Sequence, residues 1–217
     1  MLLSGTAVSG EVIMDCFSEG RRGKSLFEAI LARRSVRAYA PQSLPRTTIE
    51  TLLEAAVHAP TAMLQEPWAF VVVQDTRLLK QISDAVLAGV LDDAHRPDAY
   101  GSNYPIGSVT KPDMDVFHGA GTLIVICAKP SAPFVTADCW LAAENLMLAA
   151  CEMGLGSCVI GSSVVTLNGY RVKTELLDVP SEYSVIAPII VGVPSGEIPA
   201  AVPRKPPLVL AWKARAS

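Results

Sequence analysis

The sequence predicts an α+β fold, with helices on both sides of a small mixed sheet. Segments with a helical apolar pattern alternate along the chain with short, β-branched apolar runs of strand length. The chain contains no internal repeat and no GxGxxG turn, so a dinucleotide-binding Rossmann domain is not indicated. Its 217 residues fit one domain with a sizeable core.

Three helices and one strand are predicted in the first half of the chain. The first helix is short, presents its apolar residues on one face and ends near Arg33. Thr47 and Glu50 have the spacing of a capping box, which would begin the second helix. The β-branched run 69–74 is predicted as the first strand, and a third helix spans about 77–90.

The second half of the chain is predicted to form three strands and two helices. The strands are residues 121–128, a segment ending at Val159 and residues 184–193. Residues 136–153 form the most strongly predicted helix, and it is apolar on nearly every side, so we expect it to be buried all round. A shorter helix is predicted near residues 172–177.

Three segments fall outside this pattern. Residues 92–116 are rich in Asp, Pro, Gly, Ser and Asn, and a loop of that length is usually functional or mobile; whether it forms a substrate lid stays open. Residues 1–24 lack the pattern of a secretory signal and are expected to form a loosely held arm. The tail, residues 194–217, holds five prolines by residue 207, so it is expected to lie outside the core and to reach across a neighbouring subunit.

The composition restricts the classes of partner. Hydrophobic residues make up 50% of the chain and charged residues only 18%, which suggests that additional apolar surface is covered by a partner subunit. The net charge of −3 gives no electrostatic reason to expect a nucleic-acid partner. No stretch approaches 18 uninterrupted apolar residues, so no membrane association is expected.

The cysteines and histidines predict neither a disulfide framework nor a metal site. The five cysteines are an odd number without a CxxC pair, and the three histidines are scattered without metal-ligand spacing. A lone Cys158 beside glycines has no histidine at a recognisable spacing, so a thiol mechanism is disfavoured. We therefore expect a reducing compartment, most simply the cytoplasm.

Arg33-Arg34-Ser35-Val36-Arg37 is the most informative stretch for function. Three guanidinium groups and a hydroxyl lie within five residues, and guanidinium matches phosphate oxygens in a planar, bidentate way. The alternative interpretation is a solvated helix end, with cations near the negative pole of the helix dipole. The segment alone does not decide between the two interpretations.

Further blocks follow the arginine cluster at characteristic distances. They are Ala59-Pro60-Thr61-Ala62-Met63-Leu64-Gln65-Glu66-Pro67-Trp68, Asn145 to Ala150, Gly154 to Gly161, Val191 to Pro194 and Pro203-Arg204-Lys205-Pro206. In this order and spacing the blocks resemble the nitroreductase family of FMN-dependent NAD(P)H oxidoreductases, from about Ser25 to Pro207. The resemblance implies a three-layer α/β/α sandwich around a small mixed, mostly antiparallel sheet. It also implies an intertwined homodimer with two flavins at its interface, in which residues 25–193 form the FMN-binding domain.

The resemblance implies contacts to the phosphate and to one edge of the flavin. Arg33 and Ser35 match the family's phosphate and ribityl contacts, and Arg204 in the tail matches its second phosphate cation. Arg37 matches the basic residue at the N1/O2 edge, where a positive charge stabilises the reduced flavin. Arg34 is either a contact or merely exposed.

Two further segments match family contacts to the flavin ring. Pro60, Thr61 and Ala62 match a loop whose backbone touches the ring, usually from the other subunit; a proline-stopped helix with a core turn is the alternative. Leu64 stands where asparagine or histidine is common, and Glu66 where glutamine is common, which favours an apolar or altered substrate pocket. In the segment that contains Ile160 and Gly161, backbone N–H groups would reach flavin N5 and O4.

The activity implied by the resemblance needs no catalytic side chain, because flavin N5 is the reactive centre. NADH or NADPH would reduce the flavin and leave, and an electron-poor small molecule would then be reduced in a ping-pong cycle. Nitroaromatics, quinones and activated enones are the expected acceptors. Reductive dehalogenation or flavin fragmentation on the same fold, and a flavin-binding protein without turnover, are the alternatives.

Overall fold

The computed structural model describes residues 24–94, 114–198, 200 and 202–214 of the chain. Its sheet consists of β1 (Trp68–Val73), β2 (Thr122–Ala128), β3 (Gly156–Val159) and β4 (Ser184–Gly192). The strand order is β1-β2-β4-β3, and every neighbouring pair is antiparallel. One isolated parallel bridge joins Ser35 to Ser157, so pairing in the described chain is mixed but mostly antiparallel, as predicted.

Residues 95–113, which make up most of the predicted excursion, lie outside the described residues, and so does the predicted arm before Lys24.

The helices lie close to their predicted positions. The helices are α1 (Leu26–Ala32), α2 (Arg46–Val57), α3 (Thr76–Ala94), α4 (Val135–Glu152) and the unpredicted one-turn α5 (Val164–Leu167). Short 3₁₀ turns at Ala62–Leu64 and Gly161–Ser163 and a π-helical turn at Arg171–Leu176 complete the secondary structure. None of the helices in the described ranges has the length and apolar content needed to cross a bilayer.

The central strand β2 explains the three layers. All seven of its residues are buried, and successive side chains point to opposite faces of the sheet. Leu123 and Val125 pack in one cluster with Ile82 and Val86 of α3 and with Leu167 of α5. The other face packs on α2 and α4, through a cluster that includes Ile124, Ile126, Leu52 and Leu146. Helices therefore cover both faces of the sheet.

The predicted capping box at Thr47 and Glu50 is wrong. Helix α2 begins at Arg46, with Pro45 at the N-cap position two residues before the predicted Thr47, and no side chain of the described residues caps the helix. Glu50 instead accepts a hydrogen bond from Nε of Arg46 at 2.8 Å. A capping box does begin α1, where the Ser25 hydroxyl and the Glu28 carboxylate exchange hydrogen bonds with each other's backbone N–H groups.

The prediction that α4 is buried all round is also wrong for the single chain. Ala142, Ala143 and Leu146 are completely buried, but Trp140 is 40% and Leu141 45% exposed on another side of the helix. Helix α1 shows the same division: Ala29 is buried, while its large apolar residues Leu26, Phe27, Ile30 and Leu31 are exposed. The rest of the described chain thus leaves two apolar helix surfaces uncovered.

We predict that Gly156→Ala destabilises the fold. A methyl group at residue 156 would lie 2.8 Å from Cβ of Val36, so the segment after α1 would have to move away from β3. The expected loss is about 1–3 kcal/mol in the free energy of unfolding, measured by urea denaturation. Gly161→Ala is the matched control, because no atom of the described residues lies within 4 Å of its added methyl group. Equal unfolding midpoints for the two variants would contradict the prediction.

Candidate functional site

The arginine-rich segment lies beside β3. Helix α1 ends at Ala32, and Arg33 leaves it with extended backbone angles (φ −56°, ψ 134°). The Val36 N–H then donates to the Ser157 carbonyl at 3.1 Å. Val36 is buried while Ser35 and Arg37 are exposed, as expected for alternating side chains of an extended segment. The backbone pairing thus turns Ser35 and Arg37 away from the core.

Three cations line a small cavity at the start of this segment. The cavity has a volume of about 190 Å³, and its lining includes Lys24, Arg33 and Arg34 but no acidic side chain of the described residues. Nε of Arg33 lies 3.6 Å from a carboxylate oxygen of Glu144, and Nη1 of Arg34 donates to the Leu31 and Arg33 carbonyls at 2.7 and 2.6 Å. Nε of Arg34 is buried and finds no hydrogen-bond partner among the residues that the structure describes. This cation cavity therefore has donors to spare for an anion such as phosphate.

A second cavity, of about 310 Å³, is lined by Arg37 and by Cys158 and Val159 of β3. We call it the Arg37 cavity. Its wall includes Ile160, Gly161 and Ser162, which follow β3, and His118, which precedes β2. Arg37, Ile160 and Gly161, predicted from distant parts of the sequence, are thus brought together.

The amide groups of this wall are not equivalent. The Ile160 N–H donates to the Pro188 carbonyl at 2.9 Å, so the predicted donor role of Ile160 toward the flavin is not available. The Ile160 N–H is occupied because the chain continues to pair with β4 beyond Val159. The Gly161 N–H makes no hydrogen bond within the described residues and is the remaining candidate donor.

The Arg37 cavity shares Val90, Gly161 and Ser162 with a third cavity, of about 770 Å³. Apolar side chains, among them Trp140 and Val165, form most of its wall. No charged side chain lines this apolar cavity within the described chain; its polar side chains are the hydroxyls of Thr136, Ser162 and Ser184. Such a wall suits a neutral, largely apolar molecule.

The loop of Pro60, Thr61, Ala62 and Leu64 is anchored on α4. The Ala62 N–H donates to both carboxylate oxygens of Asp138 at 3.3 Å, and Asp138 is only 3% exposed. Met63, Leu64 and Glu66 all have positive φ (56°, 54° and 43°), which is unusual for residues with side chains. Leu64 is 88% exposed, so it does not belong to the core.

The structure does not bring this loop or Arg204 to the other predicted site residues. Residues 60–64 line none of the three cavities described above. Arg204 is exposed in the tail and makes no hydrogen bond or ion pair with the described part of the same chain. Within the described part of one protomer, the predicted site residues that come together are therefore those of the arginine segment and the Gly161 turn.

The surroundings of the Arg37 cavity favour the neutral forms of Cys158 and His118. Burial raises the pKa of the Cys158 thiol, against the opposing effects of Arg37, the Ser35 hydrogen bond and Arg33. Burial and the positive charge of Arg37 lower the pKa of His118, against the attraction of Asp115. The Cys158 thiol is thus not activated as a nucleophile. Among the described residues no group of three or more His, Cys, Asp or Glu side chains could hold a metal ion.

Sequence reasoning missed Asp138, His118 and Glu144. Asp138 had one detectable signal, since it is the only acidic residue in the first half of a largely apolar helix. His118 and Glu144 had none, because their positions beside Arg37 and Arg33 depend on contacts between residues far apart in the sequence.

A sequence profile of the nitroreductase family matches residues 30–193. The chain belongs to the nitroreductase family. A relative in Archaeoglobus fulgidus, provisionally named an NADH dehydrogenase/NAD(P)H nitroreductase, is 31% identical over 175 residues, covering 77% of this chain and 84% of the relative. An iodotyrosine deiodinase of Thermotoga neapolitana is 26% identical over 179 residues, covering 81% of this chain and 92% of that protein.

The fold agrees with this assignment. A solved nitroreductase with bound FMN from Bacteroides fragilis superposes with a TM-score of 0.75 at 26% identity, covering 88% of this chain and 100% of that one. The α+β sandwich predicted from the sequence is thus confirmed.

We predict that Asp138→Ala loosens the Ala62 loop. The substitution removes the acceptor of the Ala62 N–H, and an unsatisfied buried donor costs about 1–3 kcal/mol. Hydrogen exchange of the amides of residues 62–65 should accelerate by about tenfold to a hundredfold. Asp138→Asn keeps an acceptor oxygen and is the control. Unchanged exchange in the alanine variant would show that other contacts hold the loop.

Proposed function

We propose that this protein is an FMN-dependent oxidoreductase that passes electrons from NAD(P)H to an electron-poor small molecule in a ping-pong cycle. The observation that carries the proposal is the pair of cavities that β3 and the arginine segment line: one contains three cations, and in the other Arg37 and the open Gly161 turn share the wall. A dianionic phosphate and a ring that gains negative charge at one edge require this distribution of positive charge.

The proposed roles follow from this arrangement. Arg33 and Ser35 bind the phosphate and ribityl groups, and the unpartnered Nε of Arg34 favours a phosphate role over simple exposure. Arg37 lies at the N1/O2 edge of the ring, and the free N–H of Gly161 reaches N5 or O4. Pro60, Thr61, Ala62 and Leu64 belong to the site only if a second subunit supplies them. We propose that Arg204 also reaches the site from the second subunit.

FMN, when bound, supplies the two-electron chemistry that no side chain can provide. The described chain binds and orients it, and the apolar cavity excludes water next to the Gly161 turn. We propose that this cavity receives the acceptor, because its uncharged wall suits nitroaromatics, quinones and activated enones. The exposed Leu64 would add to the apolar character of the pocket.

Reductive dehalogenation is the second candidate. The iodotyrosine deiodinase of Thermotoga neapolitana aligns over 92% of its length with this chain, which favours a related use of the same fold. A zwitterionic amino acid needs charged partners, and the described wall of the apolar cavity has none. We therefore rank it below the reduction of neutral acceptors.

We propose that the functional unit is a homodimer in a reducing compartment, most simply the cytoplasm. The exposed faces of α1 and α4, together with the exposed Leu208, Leu210 and Trp212 of the tail, are apolar surface that a second subunit would cover. Cys127, Cys139, Cys151 and Cys158 are all free thiols.

Anaerobic titration with NADPH and then NADH tests the proposed activity. The purified protein should bind FMN, and the yellow colour should bleach on addition of a nicotinamide and return with a quinone or nitroaromatic. Release of iodide from an iodotyrosine, without turnover of the other acceptors, would favour the second candidate. Binding of FMN without bleaching would mean a flavin-binding protein without turnover, and failure to bind FMN would refute the proposal.

Mixed dimers test whether Arg204 acts in the site of the other subunit. Each single variant, Arg33→Ala or Arg204→Ala, should weaken FMN binding by roughly 10- to 100-fold, because a charge-assisted hydrogen bond contributes about 1.5–3 kcal/mol. A mixed dimer of the two variants regains one intact site if Arg204 acts across the interface. It should then bind one FMN with wild-type affinity. Two equally weak sites would place both arginines in one chain, and a monomeric mass by light scattering would refute the dimer.

A further inference from the structure

The Arg37 cavity contains a side chain that the proposed function does not yet use, His118. Arg37, His118 and Cys158 are the ionisable groups among its described lining residues. The contribution from α3 is apolar, through Leu87 and Val90. No carboxylate of the described chain lines the cavity, so the imidazole faces a permanent cation there.

The backbone holds His118 in this position. His118 has a left-handed conformation with φ 54°, followed by Gly119 with φ 76°. The Asp115 carboxylate accepts the Phe117 N–H at 2.9 Å and the Gly119 N–H at 2.8 Å, and the Asp115 carbonyl accepts the His118 N–H at 3.1 Å. A left-handed residue with a side chain needs such support. Both oxygens of Asp115 are thus engaged by the turn itself.

The surroundings of His118 favour the neutral imidazole. Burial and Arg37 lower its pKa, and Asp115 opposes them only in part. Cys158 keeps its proton because burial raises its pKa, and the Tyr39 hydroxyl donates to the Val36 carbonyl. A neutral imidazole can donate a hydrogen bond from one nitrogen and accept one at the other, whereas Arg37 can only donate and cannot change its charge.

We propose that His118 binds the pyrimidine edge of the flavin beside Arg37 and takes up a proton when that edge becomes negative. Two electrons and one hydrogen arrive at the flavin as hydride from NAD(P)H, and the edge gains one negative charge. One proton from solvent then binds the free nitrogen of His118, which adds a compensating positive charge. The inference rests on the proposed function, because it requires FMN as the occupant.

The first test measures the midpoint potential of bound FMN from pH 5 to pH 8 by dye equilibration. His118→Asn removes the titration while keeping a residue that tolerates the left-handed backbone. One extra proton per two electrons changes the equilibrium constant tenfold per pH unit, which is about 30 mV. Over part of this range, the midpoint potential of the wild type should therefore fall with pH more steeply than that of the variant, by up to about 30 mV per pH unit. The steeper region should begin below the ordinary histidine pKa of 6.5.

His58→Asn is the matched control, because His58 is exposed at the end of α2 and its ring bonds the Glu54 carbonyl at 2.8 Å. The midpoint potential of FMN bound to His58→Asn should equal that of the wild type at every pH. Equal slopes for the wild type and His118→Asn would overturn the assignment.

The second test uses the apoprotein and oxidised FMN. Oxidised FMN would cover His118 without adding negative charge at the pyrimidine edge, so a protonated His118 beside Arg37 is disfavoured in this complex. The wild type should therefore lose affinity relative to His118→Asn as the pH falls from 8 to 5. The comparison cancels the titration of the phosphate, which is common to both proteins. A pH-independent ratio of the two Kd values, with FMN still bound, would overturn the role of His118 alone. Absence of FMN binding by the wild type would overturn both this role and the proposed function.

Discussion

The close contact between the arginine segment and β3 is the interaction on which the candidate site depends. Gly156 lacks a side chain at the point where Val36 packs, and the Val36 N–H bonds the Ser157 carbonyl at 3.1 Å. This pairing fixes the alternation of the segment, so that Val36 enters the core while Ser35 and Arg37 point outward. The positions of the cationic groups are thus set by an apolar contact and by backbone pairing.

The site is electropositive although the whole chain carries a net charge of −3. Lys24, Arg33, Arg34 and Arg37 line two neighbouring cavities, and neither cavity has an acidic side chain in its described wall. Glu144 lies near Arg33 at 3.6 Å, which is longer than a hydrogen bond, so it reduces the local charge without consuming the guanidinium donors. The charges that line the cavities therefore indicate which ligands bind there better than the net charge of the whole chain does.

Much of the fold could be predicted from the sequence because its strands are short, β-branched and separated by clear helical patterns. β2 and β4 were located to within one or two residues at each end. The errors have physical causes that lie outside local pattern. Pro45 displaced the start of α2, and the exposed face of α4 looks like core in the sequence because an interface and a core have the same composition.

The site was only partly predictable for a similar reason. Arg33 and Arg37 share a short segment, so a local pattern reveals them. Asp138 and His118 act through tertiary contacts that local pattern does not encode. For the Ile160 amide, local sequence predicted a contact that the tertiary structure prevents. The sequence suggested a free N–H donor, but this N–H bonds the Pro188 carbonyl of β4.

Helix α4 connects the loop to the uncovered surface of the protomer. Asp138, in its first turn, holds the Ala62 N–H, and two residues later Trp140 is exposed and lines the apolar cavity. The same stretch of helix therefore fixes the left-handed loop and forms part of the wall of the proposed acceptor site. Met63 and Leu64 project from that loop into solvent as the two most exposed of its residues with large apolar side chains. In the proposed homodimer, a second subunit that covers both the exposed side chains of α4 and those of this loop would cover apolar surface and complete the site in a single event.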